Sequence, residues 1–239
     1  MNTPSIHSVH IPVMGLAYTI DTPIRVAHFG ISSVISVMDD ELIERMNCFY
    51  SKNFEMPYEE ISKKIDDFRA KRITSYLNTV DQIVKKKFTD LKTSMLKNRT
   101  SIENYINMLP STSDIRKELQ QYIEEHTSLD KLKVFIDEHL KPGDIDVNIM
   151  TKVDRENFNK NEALPVEYND AHAALRGFAE SNLSGSVVLS AGMNPRLFSY
   201  FENFDCFYPQ QENGLQKKII LKVSDFRSAL IQGNFLAKK

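Results

Sequence analysis

Ser186-Val187-Val188-Leu189-Ser190-Ala191-Gly192 decides the fold class. Its apolar centre is too short for a helix, is rich in branched side chains, and closes on small residues. Pro195 follows where a first helical turn tolerates a fixed φ and a missing N–H. The stretch reads as a buried strand, a tight loop and a helix over 195–204. A run apolar on both faces belongs to a parallel sheet covered on both sides.

The same pattern recurs on either side. Toward the C-terminus, residues 218–223 (KIILKV) read as a strand, and Ser224 is expected to cap a last helix. Toward the N-terminus, residues 145–150 (IDVNIM) read as a strand, followed by a polar loop to about residue 168 and a helix over 169–183. At the start of the chain, residues 11–17 (IPVMGLA) form an apolar run. Asp21 or Thr22 can cap a helix that accepts Pro23 in its first turn and stops at Gly30. Residues 32–38 (SSVISVM) then give a second strand, completing a βαβ unit.

Residues 41–141 carry no strand signal. A helix is expected over 40–50 and a long one after Pro57. Its apolar positions Ile61, Ile65, Phe68, Tyr76, Val80, Ile83, Phe88, Leu91 and Met95 are mostly three or four apart. Shorter helices are expected over 101–108, 112–125 and 128–140, with Ser113 and Ser128 as caps. Lys141-Pro142-Gly143-Asp144 ends the zone as a turn.

The expected class is therefore α/β. Residues 1–40 carry strands one and two, 41–141 are a helical insertion, and 142–239 carry strands three to five. Five such strands suit an open doubly wound sheet or the first five units of a (β/α)8 barrel. With 239 residues and 41% apolar content the chain can bury a sizeable core. Thirty Lys and Arg face 32 Asp and Glu, interspersed, so no basic stripe for nucleic acid is expected. Cys48 and Cys206 are far apart and outside any CxxC, which argues against a disulfide framework or a zinc site. No apolar run approaches a membrane span and no signal peptide is indicated, so the expected location is the cytoplasm.

Ligands of parallel α/β folds bind at the carboxyl ends of the strands. That places Met14, Gly15, Leu16 and Ala17, then Asn148, Thr151 and Lys152, then Ser190, Ala191 and Gly192, then Lys222 and Ser224, around the candidate site. The set holds no carboxylate pair, no Ser–His–Asp arrangement and no metal cluster. It suits a cradle for a flat cofactor better than hydrolysis. Structural roles compete at each position. Gly15 can simply permit a turn, Asn148 can satisfy loop backbone, Lys152 can be a solvated lysine, and 190–192 can be plain loop. Lys222, inside an apolar strand, is expected to be a buried ammonium in need of a partner. His28 and His172 fall on expected helices, where packing or surface roles are favoured.

Val13-Met14-Gly15-Leu16-Ala17, Thr22-Pro23 and Gly30-Ile31-Ser32-Ser33-Val34-Ile35 resemble the opening of the nitronate monooxygenase-type (2-nitropropane dioxygenase-type) FMN barrels. Asp146-Val147-Asn148-Ile149, residues 187–192 and Lys222-Val223-Ser224 are similar to that family's third, fourth and fifth strands. The whole chain resembles the N-terminal part of a longer bacterial family with the same barrel and helical insertion. The resemblance implies an FMN-dependent oxidoreductase acting on a small activated C–H substrate. Gly15–Ala17 would lie along the flavin, Asn148 would face its pocket, and Lys222 would sit near the N1/C2 edge. It also implies that the chain stops before the barrel closes. The fifth strand would then be an open edge with Ile220 uncovered, and association with itself or with a missing barrel half is expected. The competing expectation is a non-catalytic scaffold whose helical insertion docks a partner.

Overall fold

The structure, a computed structural model, describes residues 10–13, 19–125, 128–190, 192–209 and 217–238. In chain order the elements are β1 (His10–Ile11), α1 (Thr22–Val26), β2 (Ser32–Ser36), α2 (Asp40–Asn53), α3 (Phe68–Lys97), α4 (Arg99–Met108), α5 (Asp114–Glu124) and α6 (Leu129–His139). There follow β3 (Ile145–Met150), β4 (Phe158–Asn159), β5 (Glu162–Ala163), α7 (Asp170–Ala179), β6 (Ser186–Ser190), α8 (Pro195–Tyr200), β7 (Lys218–Leu221) and α9 (Phe226–Leu236). Strands β1-β2-β3-β6-β7 form one sheet in that order, and β4 and β5 make a separate hairpin. Parallel pairing joins β1 to β2, β3 to β6 and β6 to β7. The chain is thus α/β with a mostly parallel five-stranded sheet. Sheet order follows sequence order without the reversal that opens a crevice in doubly wound folds. Among the described residues, no helix is long and apolar enough to cross a membrane.

The chain divides into two compact units, one of residues 1–12, 21–34 and 82–145, the other of residues 13–20, 35–81 and 146–239. The first unit is organised by a helical cluster in which Phe88, Met95, Ile102, Ile106, Leu119, Phe135 and Ile136 are buried. These come from α3 to α6 at the spacing that keeps one helix face apolar. Its turn at Gly143 is tied down by Gly143 N–H to Ala27 O (2.8 Å) and Ser33 N–H to Asp144 O (3.0 Å). A Cβ on Gly143 would lie 2.2 Å from the Ile31 carbonyl carbon, so only glycine fits. His28 is buried against Phe29, with ring centroids 3.8 Å apart. Burial, helped by nearby Lys87, pushes its pKa down to about 4, and the ring is neutral at pH 7.

In the second unit β3 and β6 are buried along almost their whole length, as two-sided apolar runs require. Helix α7 lies close against α3: a Cβ on Gly177 would meet Ala70 O and the Ile73 side chain at 2.8 Å. Lys217 is buried at the C-terminal end of α7. Its Nζ donates to the carbonyls of Phe178, Ala179 (2.9 Å) and Ser181 (2.8 Å), adding a donor where the helix ends and where Phe178 O also accepts from Ser181 N (3.1 Å) and Ser181 Oγ (2.7 Å). Burial lowers this lysine's pKa to about 8.

Several boundaries differ from the sequence reading, each for a local reason. The long helix begins at Phe68 rather than soon after Pro57. Asp67 takes a left-handed φ of 53°, which cannot continue into a helix. Ile61 and Ile65 therefore precede α3, and side chains strap their segment in place. Glu44 Oε1 accepts from Tyr58 Oη and Ile61 N (both 2.9 Å), and Arg72 donates to Ile61 O from Nε (2.9 Å) and Nη2 (2.7 Å). The last helix is capped by Asp225, whose Oδ1 accepts from Ser228 N (2.7 Å), and Ser224 only donates to that carboxylate. The hairpin of β4 and β5 lies within what reads as a polar loop, and it is exposed on both strands. The expected first strand over 11–17 is described only in part, since Met14, Gly15, Leu16 and Ala17 lie outside the described residues.

Candidate functional site

At the carboxyl ends of β3, β6 and β7 the second unit opens a cavity of about 910 Å³. Asn148, Lys152, Ser190, Gly192 and Lys222 all line it, together with Val13, Met150, Met193, Val223 and Ser224. Helix α9 adds Ser228, Ile231 and Gln232. Six of the sequence-derived candidates, Ser224 included, therefore line one cavity. Ala191, like residues 14–17, lies outside the described residues.

The loops after β3 and β6 are fastened to each other. Thr151 N–H donates to Ser190 O at 2.8 Å, and the single proton of the Thr151 hydroxyl is shared between Ser190 O (2.8 Å) and Gly192 O. Asn194 caps α8 by accepting from Leu197 N (3.1 Å), while its Nδ2 donates to Thr151 O (3.0 Å) and Asp154 Oδ2 (3.2 Å). One asparagine thus starts a helix and ties down the opposite loop. Gly192 has a φ of 96°, and a Cβ there would lie 2.6 Å from Lys152 Cε and 3.0 Å from Lys152 Nζ. Glycine is needed both for the left-handed backbone and for the passage of the Lys152 stem.

Behind this junction Asp154 Oδ2 lies 2.9 Å from Nδ1 of the buried His172, off the line of a well-formed hydrogen bond. Burial works to raise the Asp154 carboxyl, but His172, Asn194 and the Ala171 N–H together hold it below the ordinary value. His172 is a packing residue here, with its ring centroid 5.1 Å from that of Tyr200.

Asn148 is almost fully buried, at 1% exposure. Its Nδ2 donates to Ser36 Oγ (3.2 Å), which also accepts from Thr19 Oγ1 (3.1 Å). Its Oδ1 has no hydrogen-bond partner. The amide thus bonds a strand side chain, Ser36, and not the loop backbone that the alternative structural role would have it satisfy.

Lys222 departs from its expected setting. Strand β7 ends at Leu221, and Lys222 follows it as an exposed residue, not a buried ammonium. Its backbone N–H still bonds Leu189 O at 3.0 Å, so the residue is held at the strand end while the side chain reaches water. The cause is the position of β7 at the rim of the sheet, where Ile220 is 42% exposed and Val223 36%. Lys152 is exposed too. The described lining thus carries two ammonium groups and no carboxylate, so it favours an anionic ligand. Among the described residues no group of His, Cys, Asp and Glu could hold a metal ion.

The contribution of α9 escapes the sequence reading. Ser228, Ile231 and Gln232 stand at i, i+3 and i+4, one helix face, and that spacing is the available signal. No family model, curated protein or solved structure matches the chain.

Proposed function

We propose that this cavity binds FMN and that the protein is a flavin-dependent oxidoreductase of the nitronate monooxygenase-like type, acting on a small activated C–H substrate. The observation that carries the reading is the convergence of Asn148, Lys152, Ser190, Gly192 and Lys222 on one cavity at the strand ends. The sequence resemblance sets Asn148 and Lys222 around the flavin, and the strand-end rule sets Lys152, Ser190 and Gly192 beside them. The volume, the two ammonium groups and the apolar walls of Val13, Met150, Met193, Val223 and Ile231 suit a flat anionic cofactor. The sequential strand order supports reading the sheet as an arc of a singly wound (β/α)8 barrel, whose ligands sit at this end.

In this reading the chain's own groups do three things. Asn148 offers Oδ1 to a ring N–H. Gly192 lets backbone and the Lys152 stem approach the ligand. The Lys222 ammonium lies on the side where negative charge grows when the ring is reduced. Because Lys222 is exposed, water and salt screen that charge and its effect on the potential is modest. Titration of the protein with FMN, followed by flavin fluorescence and absorbance, tests the proposal. Saturable binding is expected, with a more negative reduction potential in Lys222→Met. No binding, or an unchanged potential in that variant, contradicts the assignment.

A second reading has its own observation. In the helical unit Leu129 is 65% and Val134 54% exposed on α6, which suits a partner-docking role without catalysis. Failure of the chain to bind any flavin would favour it.

A further inference from the structure

Two buried amides line the same cavity with one atom each left unpaired. Asn148 belongs to the flavin reading above. Gln232, on α9, has no place in it. The side chain is 4% exposed, its Nε2 donates to Ser228 Oγ at 2.8 Å, and its Oε1 has no hydrogen-bond partner. A buried carbonyl oxygen that folding leaves unpaired carries a desolvation cost, which a donor brought in by a ligand removes. Gln232 is held on one side only, by a serine one turn earlier on the same helix, so its position is set by α9 and not by the sheet.

We propose that Gln232 is a specificity residue of the cavity: its Oε1 accepts a hydrogen bond from a neutral hydroxyl or amide N–H of an organic anion bound there. The anion follows from Lys152 and Lys222, with no carboxylate in the described lining to oppose them. The donor is neutral because an ammonium on the ligand would be repelled by the same two lysines. A hydroxy acid or an amide-bearing acid fits this chemistry. FMN fits it as well, through its ribityl hydroxyls and ring N–H beside its phosphate. The ligand is thus either the cofactor or a second molecule beside it. The cofactor alternative rests on the flavin reading; the second does not.

The test uses calorimetric titration of the full chain and of Gln232→Leu, which keeps the size and removes the acceptor. The probes are FMN, inorganic phosphate, and the pair lactate and propionate, which differ by one hydroxyl. If the cofactor meets Gln232, the variant binds FMN about tenfold to a hundredfold more weakly, with phosphate binding unchanged. If a second ligand meets it, FMN affinity stays the same. The wild type then prefers lactate over propionate about tenfold or more, and the variant loses that preference while binding propionate as before. Either result supports the proposal and names the source of the donor. Ser228→Ala, which frees the amide from its tether, should give a smaller loss in the same direction. Equal FMN affinity together with an equal lactate-to-propionate ratio in wild type and Gln232→Leu overturns it, provided the two proteins have matching circular dichroism and melting curves. Should Gln232→Leu fail to fold, Ser228→Ala decides by the same two readouts. A wild type that binds no FMN but discriminates the two acids through Gln232 sinks the flavin reading and leaves this proposal standing. A wild type that binds none of the probes overturns both.

Discussion

In the helical unit, Phe88, Met95, Leu119 and Ile136 are buried and bring no polar atom with them, whereas in the sheet unit Asn148 and Gln232 are buried as deeply and each keeps an acceptor without a partner. Tyr105 sharpens the contrast. Its hydroxyl is also unpaired, inside the helical cluster, and burial raises its pKa. An unpaired polar atom enclosed by apolar side chains is a local cost, while one in the wall of a large cavity is an opening for a ligand. The cavity, and not the missing hydrogen bond alone, separates a candidate site from a defect of packing.

The contrast can be broken most strongly at the apolar end. Leu119→Ala removes a fully buried side chain from the helical cluster, and a loss of about 2–5 kcal/mol is expected from transfer and cavity terms. Urea unfolding measures it. FMN affinity below the melting transition should not change, because no described residue of that cluster lines the cavity. A ligand affinity that falls with Leu119→Ala would show that the two regions do not divide stability and binding in this way.

Lys217 tests the sheet unit without touching the cavity. Lys217→Met removes the buried donor to the carbonyls of Phe178, Ala179 and Ser181, of which Phe178 O keeps the Ser181 N–H and hydroxyl, and a loss of about 1–3 kcal/mol is expected. The pH dependence has a defined sign. The folded pKa, about 8, lies below the ordinary lysine value of 10.5, so between these values the unfolded chain binds more protons than the folded one. Stability from this group therefore rises as pH goes from about 8 toward 10.5, and the rise should vanish in Lys217→Met. Denaturant titrations at pH 7.5, about 9 and about 10 would read it. A flat profile in the wild type contradicts the assignment.

Gly192→Ala should have the smallest effect on stability, about 1 kcal/mol from its positive φ. Its larger signature should be in binding, because the new Cβ displaces the Lys152 stem. A variant with unaltered FMN affinity would show that the position of Lys152 does not matter to the ligand.

The legible part of the sequence was its periodicity. The runs at 145–150, 186–190 and 218–223 read as strands; the first two are strands over their whole length, and the third ends at Leu221. The strand-end rule brought Asn148, Lys152, Ser190, Gly192 and Lys222 to one cavity because a parallel sheet puts all carboxyl ends on one side. What periodicity does not encode was harder to read. The start of α3 depends on a left-handed residue at Asp67, and the segment before it is fixed by the side chains of Glu44 and Arg72. The exposure of Lys222 depends on which strand ends the sheet, a property of the sheet order and not of KIILKV. Gln232 reaches the cavity only through the placement of α9, which no spacing along the strands could reveal.

The most direct test of the account is the binding of FMN to the full chain and to Asn148→Leu, read by flavin fluorescence quenching. Asn148→Leu keeps the branched side-chain shape and removes both the free acceptor of this cavity-lining residue and its bond to Ser36. Saturable binding by the wild type and a loss of about tenfold or more in the variant are expected, with the helical circular dichroism unchanged. Equal affinities in the two proteins, or no flavin binding by the wild type, would contradict the claim that this cavity holds the cofactor.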